Sequence, residues 1–145
     1  MLHIPGIILT SEIIGKEIIG ETSKSIFGLL SGINEFNIPY INKILEDLDI
    51  LKTTELVESL FHEKTLNERV ICLSQSQILA LNNLHDINTK INEELELIKK
   101  GVELSKDYWF KYFRSAPYHE NLENLKRYKK ILDSRLDIAL KLTSS

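Results

Sequence analysis

The sequence predicts an all-α fold, a helical bundle built on a long antiparallel helical hairpin covered by shorter N-terminal helices. Apolar residues recur at spacings of three and four along much of the chain, which places them on one side of a helix. No proline lies between Pro39 and Pro117. The 145 residues are 43% hydrophobic and 27% charged, which suits one globular domain over residues 1–145.

Residues 1–33 are predicted to be an amphipathic apolar segment. Acidic and basic residues interrupt its isoleucines and leucines in the pattern of a helix with one apolar face. Its glycines weaken such a helix, so we expect the segment to depend on a surface that it packs against. That surface is the long helix, a membrane interface or another subunit. The candidate residues of an apolar interface are Ile14, Ile18, Ile26, Phe27 and Leu30.

Residues 37–63 are predicted to form a short acidic helical hairpin. Asn37 is the expected N-cap of its first helix, and Pro39 then takes an early helical position that suits proline. A turn is expected over Asp49–Thr53, followed by a second short helix. Positions 40–63 hold six acidic and two basic residues, which predicts a solvated acidic face.

The long helix is predicted over residues 65–114. Thr65 and Glu68 have the spacing of a capping box, in which each side chain bonds the backbone N–H of the other residue. Gly101 costs only about 1 kcal/mol relative to alanine, so the helix is expected to continue through it. The stripe widens through Leu97, Leu104 and Tyr108, where the N-terminal helices are expected to pack. Its main apolar residues are Leu81, Leu84, Ile87, Ile91, Leu95, Ile98 and Val102.

A return helix is predicted over residues 117–142. Pro117 disfavours helical geometry in Ala116 and suits the first turn of the helix that follows. A short connection makes consecutive helices antiparallel neighbours, so the long helix and the return helix should form a coiled-coil hairpin. The predicted apolar stripe of the return helix is Leu122, Leu125, Tyr128, Leu132, Leu136 and Ala139.

The residues that could carry chemistry show no catalytic pattern. The four histidines have no spacing of three or four among themselves, so a helical metal pair is not predicted. Cys72 is the single cysteine, which excludes an internal disulfide and a cysteine-based zinc cage. His85 and Asp86 lack the flanking motif of a nucleophile site. We therefore expect no enzyme and no catalytic, metal or cofactor site.

The hairpin tip is the one unusual cluster of side chains. From Lys106 to Lys130 the chain has seven basic and three acidic residues beside most of its aromatic residues. Such a mixture suits stacking on bases or capture of phosphate, and equally a closed hairpin end or a protein interface. The candidate interaction or anion-binding residues are Tyr108, Trp109, Lys111, Arg114, Tyr118, Lys126, Arg127, Lys129 and Lys130.

Several stretches resemble small helical proteins of uncharacterised role that large (nucleocytoplasmic) DNA viruses encode. The stretches are Trp109-Phe110, Arg114-Ser115, Asn121-Leu122, Leu125-Lys126 and Ile131 to Ile138, with residues 19–27 and the acidic positions 45–60 similar in placement. The resemblance implies a viral or virus-like source and a structural or accessory role. It implies no catalytic residue.

These patterns predict a non-enzymatic protein-protein interaction or assembly protein that forms a homo-oligomer. The opposite charges of positions 40–63 and 106–130 favour contact between subunits. The alternatives are a membrane-surface adaptor that uses residues 7–33 and a nucleic-acid or anion binder that uses the hairpin tip.

The expected location is intracellular and soluble, in the host cytoplasm or the virion for a viral source. The chain begins without the pattern of a secretory signal, and no stretch approaches the about 18 apolar residues of a spanning helix. The net charge of -3 gives no general affinity for polyanions.

Overall fold

The computed structural model describes residues 19–66, 73–107 and 118–144, and these ranges contain helices and no strand. The all-α class is therefore confirmed. In chain order the helices are α1 (Ile19–Glu35), α2 (Pro39–Leu48), α3 (Ile50–Leu66), α4 (Gln75–Asp107) and α5 (His119–Thr143). The candidate residues outside the described ranges are Ile14, Ile18, Tyr108, Trp109, Lys111 and Arg114.

Four helices, α1, α3, α4 and α5, pack together around one apolar core. The most extensive packing is between α4 and α5, and α1 lies against both α4 and α3. The short helix α2 adds Ile41 and Leu45 to the same core. Each helix buries one apolar side, as expected when most of the stability of a helix comes from tertiary packing of its apolar face.

The predicted stripe of the long helix lies in this core. All seven of its main apolar residues, from Leu81 to Val102, are buried. On α5 the buried positions follow a regular spacing of three and four that passes through Lys129 rather than Tyr128. The inclusion of Tyr128 in the α5 stripe was wrong, because its side chain is only half-buried at the edge of the core.

Hydrogen bonds join α4 and α5 along their length. Three of them are Gln77 Nε2 to Leu142 O (2.7 Å), Arg135 Nη1 to Asn83 O (2.9 Å) and Asn121 Nδ2 to Glu94 Oε1 (3.1 Å). The partner residues run in opposite order, since later positions on α4 meet earlier positions on α5. With this register, the buried stripes of the two helices lie in the same core.

Gly101 permits a close approach between α4 and the start of α5. A Cβ atom at this position would lie 3.0 Å from the Cβ of Tyr118 and 3.4 Å from its backbone nitrogen. Helix α4 continues through Gly101 as predicted. The glycine therefore has a packing role, since a side chain there would push the beginning of α5 outward.

The start of the long helix differs from the prediction. Residue 65 lies in the last turn of α3, which ends at Leu66, so Thr65 cannot be an N-cap, a position that requires non-helical backbone. Helix α4 begins at Gln75 instead. Its capping box is formed by Ser74 and Gln77: Ser74 N donates to Gln77 Oε1 (2.7 Å), and Gln77 N donates to Ser74 Oγ (3.2 Å).

Replacing Ser74 with alanine should lower the free energy of unfolding by about 0.5–2 kcal/mol, because the backbone N–H of Gln77 loses its acceptor. Urea unfolding followed by circular dichroism measures the change. Ser76→Ala is the matched control, since Ser76 is exposed in the first turn of the same helix, and it should change stability by less than about 0.5 kcal/mol. Equal losses in the two variants would show that the cap contributes nothing.

The two connections around α2 each use a residue with positive φ. Asn37 (φ 53°) ends α1 with a bond from its N–H to Asn34 O, so its assignment as the N-cap of α2 was wrong. The N-cap is Ile38, and Pro39 opens the helix as predicted. Asp49 (φ 54°) alone separates α2 from α3, so the turn is shorter than expected; Asp is among the residues that tolerate this geometry.

The prediction that residues 37–63 form a short acidic helical hairpin was also wrong. Helix α3 has 17 residues, and it packs mainly on α1 rather than on α2. The reason is its buried side, which includes Val57, Leu60 and Phe61 and faces the common core. The two helices are thus joined in sequence without forming a packed pair.

Candidate functional site

Helices α4 and α5 carry large aliphatic side chains that the core does not cover. Leu97 and Leu104 are seven residues apart, and Leu79 is eighteen residues before Leu97. Both distances are close to whole numbers of turns at about 3.6 residues per turn, so the three leucines lie along one side of α4. Their exposed fractions, with those of two α5 residues, are Leu79 58%, Leu97 45%, Leu104 46%, Ile138 50% and Leu142 42%.

Ile138 and Leu142, two of the three exposed aliphatic residues described on α5, lie beside α4 at one end of the helix pair. Ile138 is three residues after Arg135, whose guanidinium binds Asn83 O, and Leu142 O accepts from Gln77. Leu79 stands between Gln77 and Asn83 on α4. We call the surface formed by Leu79, Leu97, Leu104, Ile138 and Leu142 the outer face of α4 and α5.

These residues were missed as a site by sequence reasoning, although two of them had a signal. Leu97 and Leu104 widen the apolar stripe, and the N-terminal helices were expected to cover them. That expectation was wrong for both residues, since α1 and α3 pack on the other side of α4, where Ile91 and Leu95 are buried. Within the described ranges, no helix covers this apolar line on α4.

Polar and aromatic side chains surround the middle of the helix pair. The ring of Tyr128 has the Arg127 guanidinium carbon 5.3 Å and the Lys90 Nζ 5.8 Å from its centroid. These distances are within the range of cation-π contacts. Glu94 is buried between the helices and accepts from the amides of Asn121 and Asn124.

The basic candidates on α5 are engaged with groups on their own helix. Lys126 Nζ lies 2.9 Å from Glu123 Oε2, and this hydrogen bond raises the pKa of Lys126 and lowers that of Glu123. Arg127 donates to Asn124 Oδ1 at 3.1 Å. The Glu123 carboxylate offsets the positive charge of Lys126 that a phosphate would meet, and Asn124 occupies one donor of Arg127.

The prediction of Lys129 as an anion ligand does not fit its position in the structure. The residue is only 7% exposed because it occupies a position in the buried stripe of α5, and its Nζ lies 2.8 Å from Asp133 Oδ1. Lys130, on the other side of the helix, is exposed. The four bases at positions 126–130 therefore do not form one solvent-facing cluster.

Tyr118 is used in packing. It is half-buried against Gly101, and burial is the main cause that raises the pKa of its phenol, with a smaller contribution from Tyr40. Tyr40 also contributes to the raised pKa of Lys126, so the start of α2 lies near the start of α5. The structure thus brings Tyr118 and Lys126 to one end of the bundle.

The apolar candidates of α1 are divided between core and surface. Ile26 is buried in the bundle core, so its apolar interface is with the other helices of this chain. Phe27 and Leu30 are half-buried. The described part of the N-terminal segment packs on α4 and α3, the first of the three surfaces considered for it.

A pocket of about 380 Å³ lies between α1, α2 and the start of α3. It was not predicted, because its walls come from three helices whose arrangement the sequence pattern does not give. Its lining residues are Leu30, Asn34, Asn42, Leu45, Glu46, Asp49, Ile50, Leu51 and Lys52.

Two further classes of site are absent from the described ranges. No group of His, Cys, Asp and Glu there is arranged to hold a metal ion. No described helix combines the length and the apolar character needed to cross a membrane.

Burial lowers the pKa of His85 against the opposing effect of Asp86, so the neutral imidazole is favoured at this position.

In the part of the chain that the structure describes, the fold and this surface define an all-α bundle with an apolar face that no described helix covers. Comparison with protein-family models, with curated proteins and with solved structures finds no match to the chain.

Proposed function

We propose that this chain is a non-enzymatic assembly protein that associates with a second copy of itself through the outer face of α4 and α5. The observation that supports the proposal is the line of Leu79, Leu97 and Leu104, each about half exposed on the longest helix. Apolar side chains grouped on one surface mark contact sites more often than scattered ones do. The proposed structural or accessory role also fits the resemblance to proteins of large DNA viruses.

The same proposal includes the hairpin. We infer that α4 and α5 are the arms of a long antiparallel hairpin closed by residues 108–117. The opposite order of the hydrogen-bonded partners along the two helices supports this connection. A hairpin presents a stiff, elongated face, which suits pairing of helices from two molecules.

The distribution of apolar residues on the outer face suits a twofold dimer. One apolar end contains Leu79, Ile138 and Leu142, and Leu97 lies about 27 Å farther along α4 at 1.5 Å per residue. In an isologous interface, a twofold axis through the middle of the face places each end on the opposite end of the partner. Both apolar ends are then covered at once.

The middle of the face carries the residue types that interfaces use. Tyr128 with Arg127 and Lys90 combines an aromatic ring with two cations. Tyr and Arg are enriched at protein interfaces, where they supply contact area together with hydrogen bonds. A polar middle between apolar ends also gives a dimer a defined alignment.

The test is sedimentation over a range of protein concentrations. The unmodified chain should dimerise, and Leu97→Ser with Leu104→Ser should weaken the dimer at least about hundredfold, since each buried leucine contributes about 1.5–3 kcal/mol. Leu56→Ser is the matched control, because Leu56 is 57% exposed but lies on α3. A chain that is monomeric at every concentration, or an equal loss in the control, would contradict the proposal.

The two alternative functions have less support. A nucleic-acid or anion binder would use bases that are largely paired within α5, such as Lys126 and Lys129. A membrane-surface adaptor would use the apolar N-terminal segment, of which Ile26 belongs to the core.

A further inference from the structure

The pocket between α1, α2 and α3 is built from helices other than those of the outer face. Its apolar walls come from all three helices: Leu30 on α1, Leu45 on α2, and Ile50 and Leu51 on α3. A volume of about 380 Å³ lies within the range of sites that accept a small molecule or a large side chain. The pocket therefore has the size and the lining to receive one aliphatic group.

One polar atom of the pocket residues lacks a partner. Asn42 Oδ1 is buried and forms no hydrogen bond. Most buried polar atoms in native proteins are bonded to protein or water, so this oxygen is an unmet acceptor within the pocket wall rather than a group presented to an occupant. The lining is mixed, because Asn34, Glu46, Asp49 and Lys52 lie beside the aliphatic residues.

The pocket adjoins the exposed side of α3 at Leu51, and we call the pocket together with this side of α3 the groove. Leu51, Glu55, Glu58 and His62 are spaced by four, three and four residues, which places them on one side of the helix. A second depression, of about 310 Å³, is lined by Glu55, Glu58, Ser59 and His62. The groove spans about three helical turns, or about 16 Å at 1.5 Å per residue.

The charge of this groove is predominantly acidic. Glu46 and Asp49 lie at the pocket, and Glu55 and Glu58 lie farther along α3. Among the described residues that line the two depressions, the only lysine or arginine is Lys52, and His62 lies beside the two glutamates. No ion pair within the described part of the chain involves any of these four carboxylates. Their negative charge is thus available to a cationic partner.

We propose that this groove binds a basic amphipathic helix of a protein partner. One large aliphatic side chain of that helix enters the pocket at Leu51, and its Lys or Arg residues lie along Glu55 and Glu58. A helix matches the length and the spacing of the groove, as in other complexes that place an amphipathic helix in a groove. A second copy of this chain fits less well, because Lys126 and Lys129 are already paired with acids.

The experiment is fluorescence anisotropy with the full chain and a labelled synthetic peptide of leucine and lysine, with its leucines at heptad spacing. The peptide should bind, its affinity should fall as salt is raised, and a peptide with glutamate in place of lysine should not bind. Glu55→Gln with Glu58→Gln, and separately Leu51→Ser, should each weaken binding at least tenfold, which corresponds to about 1.4 kcal/mol. Leu51 and Glu55 are exposed and Glu58 is half-buried, so circular dichroism checks the fold of each variant.

Two controls separate this site from others. Glu93→Gln with Glu103→Gln makes the same change of charge on α4. Leu97→Ser with Leu104→Ser changes two residues of the outer face. Neither double variant should weaken peptide binding. Absence of binding, or equal losses in the α3 and α4 charge variants, would overturn the proposal. Loss of self-association in the Glu55/Glu58 variant would also overturn it, by assigning the groove to a second copy.

Discussion

Leu95→Ala is expected to lower the free energy of unfolding by about 2–5 kcal/mol. Leu95 is fully buried on α4, in the stripe that faces the other helices of the bundle. Truncation removes apolar surface from the core and leaves a cavity that four packed helices can close only in part. Leu132→Ala on α5 should fall in the same range, because Leu132 is also fully buried.

Leu97→Ala is the matched control for this experiment. Leu97 lies only two residues from Leu95 on the same helix, but on the exposed outer face. Urea unfolding at low protein concentration, where the proposed dimer is dissociated, should give a change near or below about 0.5 kcal/mol. A change this small for Leu95→Ala as well would mean that the buried side of α4 has been misassigned.

Asn88→Leu is expected to raise the free energy of unfolding by about 1–3 kcal/mol, the typical cost of a buried polar group without partners. Asn88 is fully buried on α4, and neither its Oδ1 nor its Nδ2 atom forms a hydrogen bond. Leucine has a similar shape and requires no partner. The hydroxyls of Ser23 and Thr54 are likewise buried without a partner, so Asn88 belongs to a core with several unmet polar groups.

Asn88→Asp provides the opposite change at nearly constant volume. A carboxylate at this position would be buried without a partner, so the variant should be less stable than the unmodified protein at neutral pH. Its folded-state pKa would be raised, so the loss should shrink as the pH falls and the carboxyl becomes protonated. Thermal unfolding across pH measures both variants. A destabilised Asn88→Leu variant would show instead that the amide is satisfied, for example by buried water.

Local patterns in the sequence were sufficient for the all-α class and for most of the core. The spacing of Leu84, Ile91 and Leu95 determines the buried side of α4, because any helix with that pattern gathers these residues in one stripe. Pro39 likewise determined the start of α2 through its fixed φ angle. These conclusions depend on neighbours within a few turns, which the sequence contains.

The start of α4 required the tertiary structure. Thr65 with Glu68 and Ser74 with Gln77 have equivalent capping patterns. Helix α3 continues to Leu66, so Thr65 is helical and the second pattern caps α4. Local patterns predict a capping box at Thr65 and another at Ser74. The length of the preceding helix determines which of them caps α4.

The candidate site shows the same division. The spacing of Leu97 and Leu104 predicts that both lie on an apolar extension of the α4 stripe. Their exposure follows from packing between helices, because it depends on which sides of α4 the helices α1 and α5 cover. The same holds for Lys129, whose burial follows from the rotation of α5 against α4 rather than from its charge. Helix periodicity groups residues on a side, and packing between helices decides which side meets water.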